Sequence, residues 1–202
     1  MIQPLLSIQL PYTKERKDNL EKLIKEFFRQ KSFYDPFLIN IESDGRGKEI
    51  SIGEKRHDLY QKTEGKYVVQ WDSDDDIHPQ GLKMIIEALQ NNPDVDCVTY
   101  EEYVNIDGKE YKSNHSNEYS DWEGDGNSLF PDGFHFHRTP FFKSVIKTEI
   151  AKSVSIPHIR FGEDHQWAQV LKPHIKSEIH IPEQLYRYIH ISSPHNERYG
   201  II

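Results

Sequence analysis

Val68-Val69-Gln70-Trp71-Asp72-Ser73-Asp74-Asp75-Asp76-Ile77-His78-Pro79 is the stretch on which the reading of this chain turns. A short apolar run, the pattern of a buried strand, ends abruptly in four carboxylates within five residues. Like charges so close repel one another unless water or a cation lies among them. At the carboxyl end of a central strand the second case gains weight, because α/β sheets bind ligands there. Oxygen ligands of this kind suit hard divalent cations, magnesium or manganese, rather than zinc. The plain alternative is a solvated acidic turn that holds no ion.

Upstream of that stretch, residues 5–10 predict a first strand stopped by Pro11. Leu20, Leu23, Ile24, Phe27 and Phe28 fall at helical spacing and predict an amphipathic helix over 16–30. A second strand is expected over 37–41, followed by a turn at Glu42-Ser43-Asp44-Gly45-Arg46-Gly47. A helix over 53–63 then leads through Gly65 into the strand at 67–71. Downstream, a helix opens at Pro79 or Gln80, carries Leu82, Ile85, Ile86 and Leu89, and stops near Asn91-Asn92-Pro93. Strand and helix alternate, which predicts a parallel sheet with right-handed crossovers.

The second half is less regular. Residues 95–104 predict a strand and Asp107-Gly108 a hairpin turn. Residues 112–133 are polar, Gly-rich and non-periodic, the mark of a binding loop or lid, or of a mobile insertion. Short elements are expected at 134–137 (strand), 149–154 (helix) and 179–181 (strand). Phe161-Gly162-Glu163-Asp164 enters another helix, where two acids already complement the N-terminus.

Composition narrows the function. The 202 residues carry a net charge of -8 with no basic stripe, which argues against a nucleic-acid partner. Mean hydropathy is -0.77, and no apolar run is long enough to span a bilayer. Residues 1–10 lack the pattern of a secretion signal, so a cytoplasmic protein is the default expectation, with attachment to a larger chain left open. The lone Cys97 excludes an internal disulfide framework. Aromatic residues make up 12% of the chain, and serve cores and sugar- or base-stacking platforms alike.

Taken together, these stretches resemble the family 2 glycosyltransferases of the GT-A fold, over roughly residues 5–190. Leu6-Ser7-Ile8-Gln9-Leu10-Pro11-Tyr12-Thr13 is similar to the family's opening strand and base-binding loop. Glu42-Ser43-Asp44-Gly45 stands where the family has a paired-Asp turn, and Ile52-Gly53-Glu54-Lys55-Arg56-His57 is close to its Gly…Arg-Asn segment. Gly65-Lys66-Tyr67 running into Asp72-Ser73-Asp74-Asp75 resembles its Gly-Glu-Tyr strand and Asp-x-Asp-Asp motif, the most specific of the matches. Glu163-Asp164 is similar to its acceptor-site acid pair.

The resemblance implies an α/β fold: one Rossmann-like GT-A domain over 1–202, its mostly parallel central sheet flanked by helices, with a small antiparallel addition in the second half. Residues 1–104 would bind the nucleotide sugar and 105–202 the acceptor. It implies donor contacts from Pro11, Tyr12, Thr13, Glu42, Asp44, Lys55, Arg56, Asp72 and Ser73. Asp74 and Asp75 would hold Mn2+ or Mg2+, joined by a C-terminal histidine, His190 ahead of His195. Asp164 would be the general base and Glu163 its neighbour, with His165 and Trp167 at the acceptor. The activity implied is metal-dependent, inverting transfer of one sugar from a nucleotide diphosphate, UDP being commonest, to a hydroxyl acceptor such as a glycan. The Gln-x-x-Arg-Trp motif of processive synthases is missing, which points to single addition. A sugar nucleotidyltransferase is the first alternative, but residues 11–16 contain no Gly-rich phosphate loop. A non-catalytic sugar- or cation-binding module is the second.

Overall fold

Which face of each strand is apolar determines where every helix of this protein lies. The structure, a computed structural model, describes residues 3–191. Its first half comprises β1 (Leu6–Pro11), α1 (Lys17–Lys31), β2 (Ile39–Asp44), α2 (Ile52–Lys62), β3 (Tyr67–Gln70), β4 (Asp76–Ile77), α3 (Gly81–Asn91) and β5 (Cys97–Ile106). The second half adds β6 (Lys109–His115), β7 (Phe136–Arg138), β8 (Val145–Lys147), α4 (Thr148–Ser153), α5 (Glu163–Leu171) and β9 (Glu178–His190).

Side chains alternate across a strand, and β3 uses both sides. Tyr67, Val69 and Trp71 enter one core with Leu20, Leu23 and Phe27 of α1 and Leu82, Ile85, Ile86 and Leu89 of α3. Val68 points the other way, into a second core with Tyr60 of α2, Ala151 of α4 and Trp167 and Leu171 of α5. A strand covered on both faces is apolar almost throughout, and the polar Gln70 in this run is buried only because its amide donates to Gln9 and to the Arg56 carbonyl. Phe27 stacks on Trp71 with centroids 5.4 Å apart, and the Trp71 indole donates to the Tyr100 hydroxyl at 2.8 Å.

β1 pairs in parallel with β2 on one edge and β3 on the other. β8 joins β3 to β5 with antiparallel pairing at both edges. β9 runs parallel along the other edge of β5, and β4 pairs with it antiparallel. β6 returns antiparallel along β5, with β7 beside it. The result is the expected mixed α/β architecture, a mostly parallel Rossmann-like sheet with antiparallel strands added in the second half. The turn from β5 to β6 has Asp107 and Gly108 at φ 53 and 84, left-handed values that Gly and Asp tolerate and a tight hairpin requires. Among the described residues, no helix is long and apolar enough to cross a membrane.

Several boundaries differ from expectation for identifiable reasons. β2 starts later and absorbs Glu42 and Asp44, read as a turn, because they pair in register with Gln9 and Pro11. β9 is far longer than the strand expected over 179–181, following β5 through two register shifts. β8 was not expected, since Phe141-Phe142-Lys143-Ser144-Val145-Ile146 alternates too little to signal a strand. The polar loop after β6 is tied down by the Glu123–His137 bridge.

Candidate active site

Beyond β3 the chain leaves the sheet, and its acidic side chains diverge. The Asp72 carboxylate accepts from Arg56 Nη2 at 2.7 Å. Asp74 pairs at 2.9 Å with Arg16, which lies in the single helical turn after β1. Asp75 is buried and accepts from the Tyr186 hydroxyl at 2.7 Å and the Ile189 amide at 2.8 Å. Separate donors ease the repulsion among Asp72, Asp74 and Asp75, although the Asp72 charge still raises the pKa of the other two. Burial opposes ionisation of Asp72, but Arg56 and Lys143 outweigh it and hold its pKa below the usual range. Burial wins at Asp74, whose pKa is raised despite Arg16, and at Asp75, pushed up to about 8.

The acidic turn separates two cavities. The larger, about 890 Å³, is lined by Pro11, Tyr12, Thr13, Lys55 and the whole Asp72–Asp76 turn, with Tyr188 and His190 on its far side. That volume falls within the range of roughly 300–1,000 Å³ typical of small-molecule sites. Arg16, Lys48 and Arg160 also line it, Arg16 pairing with Asp74 and Lys48 with Glu15. The smaller cavity, about 480 Å³, has an aromatic wall of Trp122, Phe136 and Phe141 and includes Arg56, Lys143, Arg138 and Asp164. Asp72, Tyr188 and His190 line both cavities, so the two meet at these residues.

α2 serves both cavities through consecutive residues. Ser51 caps the helix, its hydroxyl accepting from the Glu54 amide at 3.1 Å. Gly53 lies so close to the 157–159 segment that an added Cβ would be 1.9 Å from the Pro157 carbonyl oxygen. Neighbouring helical side chains diverge by about 100°. Lys55 therefore reaches the larger cavity, donating to the Tyr12 and Arg46 carbonyls. Arg56 turns toward the smaller, with its guanidinium 4.4 Å from the Phe142 ring centroid and between Asp72 and Glu163.

The same divergence separates Glu163 from Asp164 at the start of α5. Glu163 is buried, its carboxylate 3.4 Å from Arg56 Nε, close enough to attract but not aligned as a hydrogen bond. Burial raises its pKa to about 7 against the pull of Arg56. Asp164 lines the smaller cavity instead. Trp167, expected to wall Asp164, lies four residues beyond Glu163 and shares its inward side. It is wholly buried, stacked on Phe142 at 4.8 Å with its indole donating to the Val154 carbonyl, and cannot touch an acceptor. Trp122 takes that place at the cavity wall. The His165 ring stands 5.1 Å from it and pairs with Asp121 at 2.8 Å, outside the cavity lining.

Of the expected donor contacts, Pro11, Tyr12, Thr13, Lys55, Asp72 and Ser73 share the larger cavity, as do Asp74, Asp75 and His190. Three others do not. Arg56 lines only the smaller cavity. Glu42 lies under α2, accepting from Gln9 and Asn40. Asp44 holds Arg46, 2.6 Å away, which also reaches Asp58. Burial opposes its ionisation, but that ion pair keeps its pKa low. The Ser73 hydroxyl is buried with no hydrogen-bond partner among the described residues. His190 ends β9, and its Nδ1 lies 3.3 Å from the Tyr188 hydroxyl. His195 falls outside the described residues.

Sequence reasoning missed a buried charge cluster. Lys143 Nζ lies 2.6 Å from Glu102, whose other oxygen is 3.1 Å from His115 Nε2. Burial opposes both charges, yet the pairing holds Glu102 at about 2 and raises Lys143. The ammonium also sits 3.9 Å from the Tyr188 ring centroid, at the junction of the cavities. One signal was available: Lys143 is a lone charge inside an apolar run. Tyr186, Tyr188 and His190 carried another, the period-2 spacing of one strand face.

Among the described residues, no group of three or more His, Cys, Asp or Glu side chains is arranged to hold a metal ion. A magnesium-like ion on a diphosphate needs only one or two carboxylates, with phosphate and water completing its shell. Asp74 fits that demand: it lines the larger cavity, and its carboxylate pairs with Arg16, a half-exposed side chain rather than a buried cation. Both Asp75 oxygens already accept hydrogen bonds.

The sequence matches no family model and no curated protein. Solved structures of S. aureus TarS share its fold. One covers 97% of this chain at TM-score 0.55 and 13% identity. TarS 1-349 in complex with UDP-GlcNAc covers 95% at TM-score 0.57 and 11% identity. The complex with UDP covers 97% at TM-score 0.56 and 12% identity. This chain spans 38%, 60% and 62% of those three chains, respectively.

Proposed function

We propose that this chain is a family 2 glycosyltransferase of the GT-A kind, moving one sugar from a nucleotide diphosphate to a hydroxyl acceptor with inversion at the anomeric carbon. The observation that carries the reading is the meeting of two cavities at Asp72, Tyr188 and His190, with Asp74 on one side and Asp164 on the other. Neighbours solved with UDP-GlcNAc and UDP support a uridine donor in the larger cavity.

In this reading Pro11, Tyr12 and Thr13 take the base, and Arg16, Lys48 and Arg160 offset the diphosphate charge. Asp74 would hold Mn2+ or Mg2+, which when bound would supply Lewis-acid stabilisation of the leaving diphosphate. Arg56 holds Asp72 ionised at the junction. Asp164 takes the proton of the acceptor hydroxyl as it attacks, a role for which a carboxylate at the cavity wall suffices. Attack on the face opposite the diphosphate inverts the configuration. Glu163 keeps Arg56 fixed from the protein side and does not meet the acceptor.

The test is a panel of nucleotide sugars with and without manganese, read by thermal shift and by release of free nucleoside diphosphate. A ligand that binds only the folded state must raise its melting temperature. UDP-sugars are expected to do so in a manganese-dependent way and to release UDP slowly. A panel with no stabilising nucleotide and no release rejects the reading.

A further inference from the structure

We infer that the smaller cavity takes an acceptor bearing an anionic group, phosphate or carboxylate, close to the hydroxyl that reacts, and that Arg138 is the residue that grips it. This rests on the transferase reading for the word acceptor; the anion site itself rests on Arg138 and its surroundings.

Three cations line this cavity, and two are already neutralised. Arg56 has Asp72 at 2.7 Å, and Lys143 has Glu102 at 2.6 Å. Among the described residues, no carboxylate lies within ion-pair distance of Arg138. Its Nη1 donates to the backbone carbonyls of Glu123 at 2.7 Å and His137 at 2.9 Å. Its guanidinium carbon lies 5.1 Å from the Trp122 ring centroid and 4.8 Å from that of Phe136. Carbonyls at one nitrogen and two rings fix the plane of the group. Among the described residues, Nε and Nη2 find no acceptor, which leaves one edge of the fork to a ligand.

Such a group is costly to keep unpaired in a half-buried aromatic pocket, and burial accordingly draws its pKa down. An edge with two parallel N–H donors matches phosphate or carboxylate, which accept in bidentate fashion. The cavity's own acids do not fill the role. Glu102 is committed to Lys143 and His115, and Asp125 accepts from Asn127. Asp164 makes no ion pair among the described residues, although its charge acts on Arg138 from a distance, and in the proposed mechanism it faces the reacting hydroxyl. A molecule carrying both a hydroxyl and an anion satisfies Asp164 and Arg138 together, which a neutral sugar does not.

Glucose, glucuronate and glucose 6-phosphate share one ring and differ only in the group tested. Each is titrated into the protein while the indole N–H signals are followed by NMR, first alone and then with UDP filling the larger cavity. Trp122 reports the site; the wholly buried Trp71 and Trp167 are internal controls. At least one charged sugar is expected to move the Trp122 signal with an affinity about tenfold above that of glucose. Arg138→Gln should erase the difference, and Arg138→Lys, which keeps charge without the fork, should restore part of it. Equal affinity for glucose and both charged sugars on the parent protein overturns the inference, whether or not the Gln variant folds. So does a charged-sugar preference that survives in Arg138→Gln. Failure of UDP to bind would strike the transferase reading instead and leave the titration without UDP to decide the anion site.

Discussion

Glu163 offers a measurement of the site that needs no substrate. Its carboxyl is buried beside Arg56, and its pKa is raised from 4.5 to about 7. A folded-state pKa above the unfolded value means the folded protein holds the proton more tightly. The stability this contributes is fully present below pH 4.5 and is lost as pH rises through about 7. At about 1.4 kcal/mol per tenfold change in proton affinity, the loss is about 3 kcal/mol. Glu163→Gln keeps the shape of the protonated acid and cannot ionise, so it removes this pH dependence. Urea unfolding of parent and variant, followed from pH 4.5 to 8, should show the variant gaining on the parent by about 2–3 kcal/mol across that window. A stability difference that stays flat with pH would show that Glu163 titrates normally, and the account of its burial against Arg56 would be wrong.

Three further outcomes follow. Asp164→Asn should bind UDP and manganese as the parent does but lose at least about a hundredfold in turnover, with Glu163→Gln losing less; the reverse order in a UDP-release assay would make Glu163 the base. Asp74→Ala, or chelation of the metal in the parent, should abolish manganese-dependent UDP binding by calorimetry, and undiminished binding would remove Asp74 from the cation. Lys143→Met strands Glu102 in a buried site and should cost about 3–5 kcal/mol in denaturant unfolding, with Glu102→Gln in the same chain recovering part; a loss below about 1 kcal/mol would refute the buried pair.

Much of the fold was readable because each core face repeats along its element. The alternation of Tyr67, Val69 and Trp71, and the helical spacing of Leu82, Ile85, Ile86 and Leu89, are local patterns that survive into the structure. The acidic turn was readable for the same reason: Asp72, Asp74 and Asp75 need only chain adjacency to share a cavity. What failed needed direction or long-range pairing. Arg56 and Lys55 are neighbours, and only the rotation of α2 against β3 decides which one meets which cavity. Trp167 was paired with Asp164 by spacing of three, whereas the helix buries it with Glu163 at four. Lys143 and Glu102 lie on separate strands, and nothing in either segment announces the other. β8 escaped because three residues of strand leave no period to count.

Tyr188 stands where the two cavities touch, and that position bears on how the kinetic constants can vary. In the proposed two-substrate reaction, a residue facing one compartment would act on one Michaelis constant; Lys48 lines only the larger cavity and Trp122 only the smaller. Tyr188 borders both. Its ring also covers the Lys143 ammonium, so any change in its size alters both compartments and their charge at once. If the chain is the transferase proposed, selection for a new acceptor acting on Tyr188 would drag donor use along with it, whereas selection acting on Trp122 would not. Drift in acceptor preference among proteins built this way should accumulate on the aromatic wall and spare the shared strand.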